Sequence, residues 1–210
     1  MRTICGVCTA LGLLAVPAMA AEPKEARVGG YLSAPEDTGK YTVNLNAGVG
    51  GYLGGLSDFT GVGPVWGVNV DGDATRGIGW ELAYNGARTP LTFGVPNGEA
   101  AWRHGVNAMA KLFAPGMEVL RPFAGVGLGA GYIDPSDGAE RLKLYQKDWV
   151  TEIPVAAGVE LAPANAGFSA GLRATYRFQA GEEFARPAAA PGQNPEGGLL
   201  SAALNIGGKF

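Results

Sequence analysis

Hydrophobic and polar residues alternate along most of the chain after residue 40, and the alternation falls into eight segments. A period of two predicts β-strands that each have one apolar and one polar face. The predicted strands cover residues 41–53, 64–71, 78–87, 101–113, 121–132, 149–161, 168–178 and 198–210. Segments of about ten residues are long enough to cross the hydrocarbon core of a membrane when the strands are tilted.

The connections between these segments alternate between short and long. Residues 72–77, 114–120 and 162–167 form the short connections, and residues 54–63, 88–100, 134–148 and 179–198 form the long ones. Outer-membrane barrels have short periplasmic turns and longer extracellular loops. The pattern therefore predicts an all-β fold, an eight-stranded antiparallel up-and-down transmembrane β-barrel with both ends of the strand series on one side.

The fifth segment indicates which strand face points inward, because four of its positions are glycines. Gly125, Gly127, Gly129 and Gly131 alternate with apolar side chains. Glycine weakens a strand, since it has no side chain to pack. An eight-stranded barrel is just wide enough to be filled by side chains, so a crowded lumen gains room from bare backbone. We therefore predict that the glycine face lines the lumen and the apolar face meets lipid. A soluble lipocalin-like barrel with its apolar face inward is the alternative.

The predicted inner face also carries most of the charged residues of the strands. These are Asp71, Glu81, Arg103, Lys111, Glu152, Glu160, Arg173, Arg177 and Lys209. Buried charges are costly unless they are paired and hydrogen-bonded, so we predict an ion-pair network in the lumen. In a hairpin centred on residues 162–167, Glu152 falls opposite Arg177. Arg173 and Arg177 are expected to occupy the narrow lumen that the four glycines line.

The first twenty residues resemble a targeting segment rather than part of a fold. Arg2 precedes an apolar run, and small residues surround a cleavage position after residue 20. This pattern predicts a cleaved secretory signal peptide over residues 1–20, a periplasmic lead-in over 21–40 and the barrel over 41–210. A buried N-terminal helix is the alternative for the first segment. Both cysteines lie within it, so no disulfide and no cysteine metal site are expected in the mature chain.

The composition of the chain argues against several classes of partner and fold. The chain has 16 basic and 19 acidic residues, a net charge of −3, which favours neither nucleic acid nor an anionic membrane surface. Its 35 glycines follow no three-residue period, so a collagen-like fold is excluded. No apolar stretch near twenty residues follows the predicted signal peptide, so no helical span is predicted.

Three features resemble the small outer-membrane β-barrel proteins of the OmpA-type superfamily. The chain ends in Phe210, and apolar residues alternate back from it. The stretch RPFAGVGLGAGY (121–132) resembles the glycine-alternating strand of these proteins. The third feature is the predicted signal peptide. The resemblance implies a Gram-negative outer membrane, with lipid and lipopolysaccharide around the barrel. It also implies that the barrel-assembly machinery recognises Phe210 during biogenesis. It implies no particular activity, because this scaffold hosts unrelated functions.

Candidate catalytic chemistry centres on His104, because some small outer-membrane barrels modify lipid A with a histidine and a serine. A hydrolytic site needs its nucleophile, base and orienting group within reach of one another. The candidate serines, Ser57 and Ser136, lie in separate long loops. We therefore predict no catalytic residues and place His104 near an aromatic girdle at the membrane interface.

The function predicted from the sequence is non-enzymatic, a structural or surface-interaction role for a monomeric barrel without cofactor or metal. A narrow passive channel along the inner charges is the main alternative, and a lipid A-modifying enzyme is the less favoured one. Residues 134–148 are expected to form a solvated loop and residues 179–198 a mobile, displayed one. A specific partner, if there is one, is expected to bind these two loops.

Overall fold

Eight β-strands follow one another along the chain. The computed structural model describes residues 41–115, 117, 119–161, 167–181, 183–185 and 196–210, so the predicted signal peptide and lead-in lie outside the described residues. The strands are β1 (Tyr41–Gly54), β2 (Gly63–Asp73), β3 (Ile78–Pro90), β4 (Ala100–Phe113), β5 (Leu120–Pro135), β6 (Asp148–Leu161), β7 (Phe168–Ala180) and β8 (Gly197–Lys209). A 3-10 helix (Gly55–Asp58) follows β1, and a short helix α1 (Asp137–Arg141) follows β5.

Each strand pairs antiparallel with its neighbours in sequence, and β1 pairs with β8, so the sheet closes into a barrel. The predicted eight-stranded antiparallel up-and-down barrel is confirmed, with every predicted strand present. The strands run somewhat further than the alternation indicated: β5, for example, continues to Pro135 rather than ending at residue 132. Closure removes the unpaired edges that an open sheet would expose.

The two faces of the sheet have the predicted orientation. Val126 and Leu128 on β5 are 55% and 68% exposed on the outside, whereas Arg173 on β7 is only 7% exposed. The soluble alternative, which needs the apolar face inside, is therefore wrong. An apolar belt surrounds the barrel because the outward residues of all eight strands are mainly aliphatic or aromatic.

Aromatic side chains lie near both ends of this belt. At the end of the long loops, Trp66 contacts Trp102 edge-on at 5.8 Å between ring centroids, and Tyr132 lies 5.0 Å from Trp149. At the end of the short turns, Tyr41 lies 5.9 Å from Trp80, and Phe168 and Phe210 are exposed. This arrangement is typical of the two aromatic girdles that outer-membrane barrels place at the membrane interfaces. Among the described residues no helix is both long and apolar enough to span a membrane.

The pairing of β6 with β7 differs from the prediction by two residues. Glu152 pairs with Gln179 and Pro154 pairs with Arg177, so the predicted pairing of Glu152 with Arg177 is wrong. The prediction placed the hairpin symmetrically about residues 162–167. The last pair is instead Leu161 with Ala170, and Phe168 and Ser169 pair with β8 alone.

The long loops fold back over one mouth of the barrel. Among the described loop residues, seven apolar side chains are buried and form what we call the loop cap: Leu56, Phe59, Leu91, Ala139, Tyr145, Phe184 and Ala185. They pack on strand residues such as Ile133 and Leu199. The prediction of a solvated loop over 134–148 and a displayed loop over 179–198 is therefore wrong for Tyr145 and Phe184, which are 2% and 0% exposed. These rings cover apolar surface at the mouth that would otherwise face water.

Candidate functional site

The lumen holds the residues that the sequence predicted to face inward, and they form two clusters. The turn-end cluster, nearer the short turns, consists of Asp71, Glu81, Lys111, Glu160 and Arg173. The loop-end cluster, nearer the loop cap, consists of Arg103, Glu152, Arg177 and Gln179. The remaining predicted residue, Lys209, lines a cavity at the short-turn mouth.

Lys111 is the centre of the turn-end cluster. Its Nζ lies 2.8 Å from Glu81 Oε2 and 2.8 Å from Glu160 Oε1, and it also contacts the carboxylate of Asp71. Arg173 approaches Glu81 with both terminal nitrogens, and its Nη1 donates to Oε1 at 2.9 Å. Lys111 and Glu81 are each 1% exposed, so these charges have protein partners in place of water.

Glu152 is the centre of the loop-end cluster. Arg103 binds it through two nitrogens, with Nε donating to Oε1 at 2.7 Å and Nη2 contacting Oε2. Gln179 also donates to Oε1, at 2.9 Å. Arg177 stays further away, since its Nε lies 4.0 Å from Glu152 Oε2, and its Nη1 donates instead to the Ser201 hydroxyl at 3.2 Å. Sequence reasoning missed Gln179, which extends beyond the predicted end of its strand.

The four lumen glycines leave room for side chains of the neighbouring strands. A Cβ on Gly125 would lie 2.6 Å from the Met109 sulfur, and one on Gly131 would lie 2.8 Å from Glu152 Oε1. A Cβ on Gly127 or Gly129 would meet backbone carbonyls of β4. The nearest atoms thus belong to β4 and Glu152 rather than to Arg173 and Arg177, although both arginines are in the lumen.

Two phenylalanines connect the cations of the turn end to the barrel wall. The Phe123 ring lies 4.9 Å from Lys111 Nζ and 5.4 Å from the Arg173 guanidinium. The guanidinium of Arg121 lies 3.8 Å from the Phe113 ring and pairs with Asp73, at 2.9 and 3.0 Å. The sequence analysis did not predict this Asp73–Arg121 pair, because the predicted second strand ended at residue 71. Both residues nevertheless occupy inward positions in the alternation.

A cavity of about 90 Å³ lies at the short-turn mouth. Its polar lining includes Asp71, Asp73, Arg121, Glu160 and Lys209. The described ranges contain no group of three or more histidine, cysteine, aspartate or glutamate residues arranged to hold a metal ion. The cavity therefore combines charges of both signs, and the acidic ones already have cationic neighbours.

His104 lies on the outer surface of the barrel, apart from both candidate serines. Its Nδ1 is hydrogen-bonded to the Tyr84 hydroxyl at 2.6 Å, and the two rings stack at 6.2 Å. Ser57 donates to the Gly54 carbonyl at 2.7 Å, and Ser136 contacts the Glu99 carboxylate. The structure thus does not bring His104 together with either serine.

Several solved structures of bacterial proteins are similar to this chain. Neisserial surface protein A matches with a TM-score of 0.56 and 11% identity, over 82% of this chain and 98% of that one. Ail, the attachment invasion locus protein of Yersinia pestis, matches with a TM-score of 0.50 and 11% identity, over 81% and 98%. The N-terminal β-barrel domain of Pseudomonas aeruginosa OprF gives 0.44 and 18%, over 80% and 97%.

The likenesses to Neisserial surface protein A and to Ail show that the fold is that of the small eight-stranded outer-membrane β-barrels. No protein-family model matches the chain, and no curated protein matches it in sequence.

Proposed function

We propose that this chain is a non-enzymatic integral protein of a Gram-negative outer membrane, with a structural or surface-interaction role. The observation that carries the proposal is an apolar belt around a barrel whose interior is filled. The belt supports membrane residence, because a lysine or arginine on the lipid face at mid-membrane costs about 2–4 kcal/mol. Outward residues such as Leu45, Leu128 and Leu204 are instead each more than 60% exposed and apolar.

The filled lumen favours a scaffold over a channel. Lys111, Glu81 and Arg173 cross-link β3, β4 and β7 through the turn-end cluster. Glu152 joins β4 and β6 to β7 through Arg103 and Gln179. The loop cap then covers the opposite mouth with apolar side chains. A solute would have to displace both ion clusters and the cap in order to pass.

The long-loop end is the surface most suited to contact other molecules. The buried side of the loops packs as the loop cap, while Phe93 and Leu142 are 48% and 49% exposed on the other side. Side chains on a packed surface lose less conformational entropy when they bind a partner than side chains on a flexible loop do. We place the surface-interaction role there.

The same proposal implies which molecules would contact the barrel. Outer-membrane lipid and lipopolysaccharide would contact the apolar belt, and the barrel-assembly machinery would recognise β8 together with Phe210. Phe210 supports this role because its side chain is 77% exposed at the end of β8. Phe210→Ala is expected to lower the membrane-inserted fraction relative to the unsubstituted chain, as judged by heat-modifiable migration of membrane fractions.

Two measurements test the proposal against its alternatives. The protein should fractionate with membranes, require detergent for extraction and migrate differently before and after heating. In planar bilayers it should show no unitary current steps. Repeated steps of fixed conductance would favour the narrow channel.

A comparison of lipid A from two kinds of cells tests the alternative that the protein is an enzyme. Lipid A from cells expressing the chain and from cells expressing His104→Ala should have the same mass spectrum. A modification that is present with the unsubstituted chain and lost in the variant would favour the enzyme.

A further inference from the structure

A second, smaller cavity lies inside the barrel at the loop-end cluster. Its volume is about 20 Å³, and the residues whose polar groups matter here are Asn46, Arg103, Arg173, Arg177 and Ser201. Three guanidinium groups therefore contribute to one small cavity. Among the described residues that line it, none is an aspartate or a glutamate.

Three hydrogen-bond donors on residues that line this cavity are buried without a hydrogen-bond partner among the described residues, Asn46 Nδ2, Arg173 Nε and Arg177 Nε, and so is one acceptor, Asn46 Oδ1. Arg173 and Arg177 are each 7% exposed. Buried donors without partners are rare in folded proteins, and each one calls for an explanation. All three donors belong to residues that line this one cavity, which makes the cavity the place to look for a shared acceptor.

The charge of the loop-end cluster points the same way. Arg103 and Arg177 contribute two positive charges, and Glu152 contributes one negative charge. Both Glu152 oxygens are engaged by Arg103, and Oε1 also accepts from Gln179. Arg177 is left with a neutral hydrogen-bond partner, Ser201, and with a carboxylate oxygen 4.0 Å away. Arg177 is thus less closely paired than Arg103, which binds the same carboxylate through two nitrogens, and a poorly paired buried cation favours an added anion.

The volume of the cavity limits which anions could bind in it. A water-sized occupant needs about 10–15 Å³, so a cavity of about 20 Å³ accepts one atom of that scale. A polyatomic anion such as sulfate or phosphate does not fit. We propose that this cavity binds a single halide ion, chloride in the cell, held by Asn46 Nδ2, Arg173 Nε and Arg177 Nε.

The direct test uses bromide as the probe. Crystals of the full chain grown in sodium bromide should show an anomalous peak between Arg173 and Arg177, and crystals of Arg177→Gln should not. Absence of the peak in the unsubstituted protein, with density that refines as water only, would overturn the proposal.

A solution test covers the case in which Arg177→Gln does not fold. Urea unfolding in detergent micelles is followed in sodium chloride and in sodium gluconate of equal ionic strength. Chloride at ten times its Kd should raise the folding equilibrium constant about elevenfold. Equal stability in the two salts would overturn the proposal.

Two variants sharpen this measurement. Asn46→Ala removes one donor and should weaken the chloride dependence. Arg121→Gln should keep it in full, because Arg121 pairs with Asp73 at the opposite end of the lumen and does not line this cavity. A loss of chloride dependence in Arg121→Gln as large as that in Asn46→Ala would contradict the assigned site.

Discussion

The two ends of the lumen are built from different chemistry. At the long-loop end, apolar side chains such as Leu56, Phe59 and Phe184 pack into a cap with almost no exposed surface. At the short-turn end, the lumen widens into a cavity of about 90 Å³ whose lining is largely charged and polar. The ion clusters lie between the cap and this cavity.

The difference follows from the lengths of the connections. The longer connections, such as residues 55–62, can reach back over the mouth and bury their own apolar side chains, whereas a short turn can only reverse the chain. The short-turn end must therefore be closed by side chains that rise from the strands themselves, as Arg121 and Asp73 do. Stability should accordingly depend on burial at one end and on charge pairing towards the other.

The largest effect is expected from the buried charges. Glu81→Gln leaves Arg173 and Lys111 each short of a carboxylate in a buried setting. Removing one partner of such a group costs about 3–5 kcal/mol, which urea unfolding in micelles would measure. Asp73→Asn is the matched control, because Asp73 is 36% exposed and its pair with Arg121 should contribute less than about 1 kcal/mol. Equal losses in the two variants would contradict the importance of burial.

A smaller effect is expected at the loop cap. Phe184 is fully buried and lies 5.7 Å from the Tyr52 ring and 6.3 Å from the Tyr145 ring. Phe184→Ala should lower the free energy of unfolding by about 3 kcal/mol and make the loops more sensitive to protease. Leu142→Ala, which alters an exposed side chain near the cap, should change stability by less than about 0.5 kcal/mol. Protease resistance unchanged in Phe184→Ala would show that the cap does not hold the loops.

The narrow part of the lumen between the two ends should respond to a single methyl group. A Cβ on Gly127 would collide with the backbone carbonyl of Ala108 on β4. Gly127→Ala should therefore cost about 2 kcal/mol, measured by the same unfolding assay. Gly61→Ala is the control, because its nearest contact would be an ordinary 3.7 Å from Thr92. A neutral Gly127→Ala would mean that β4 and β5 can separate without loss.

The strands and their inward faces could be predicted because alternation is a local property. A closed barrel imposes the same constraint on every strand, with lipid on one side and a crowded lumen on the other, so each segment carries the same signal. The position of each residue in the alternation was therefore enough to predict that Glu81 and Arg173 face inward. It could not predict that they pair, since they are 92 residues apart and the stagger of the strands decides which inward residues share a level.

The loop cap could not be predicted for a related reason. Leu56, Tyr145 and Phe184 lie in the connections between strands, where no period of two distinguishes a buried side chain from an exposed one. Their burial depends on the shape of the mouth, which exists only once the barrel has closed. The register of β6 against β7 was also missed, because alternation shows which face a residue is on but not which residue of the neighbouring strand lies opposite it.

The smallest effect concerns one polar group within the apolar cap. The Tyr145 hydroxyl donates to the Phe93 carbonyl at 3.0 Å and lies 3.4 Å from the Phe59 carbonyl, so it joins two loops. Tyr145→Phe should cost about 1 kcal/mol at neutral pH, the net value of an ordinary hydrogen bond. Tyr41→Phe, which removes a hydroxyl outside the cap, should leave stability unchanged.

The same side chain should make the cap sensitive to alkali. Burial raises the pKa of the Tyr145 hydroxyl above its ordinary value of about 10. The folded state therefore holds this proton more tightly than the unfolded state does. The resulting stability is complete below the ordinary pKa and is lost as pH rises through the raised one. Urea unfolding at a series of pH values should show this alkaline loss in the unsubstituted chain and less of it in Tyr145→Phe. Identical alkaline profiles for the two would mean that Tyr145 ionises as freely in the folded cap as in the unfolded chain, and the cap would then be no barrier to water.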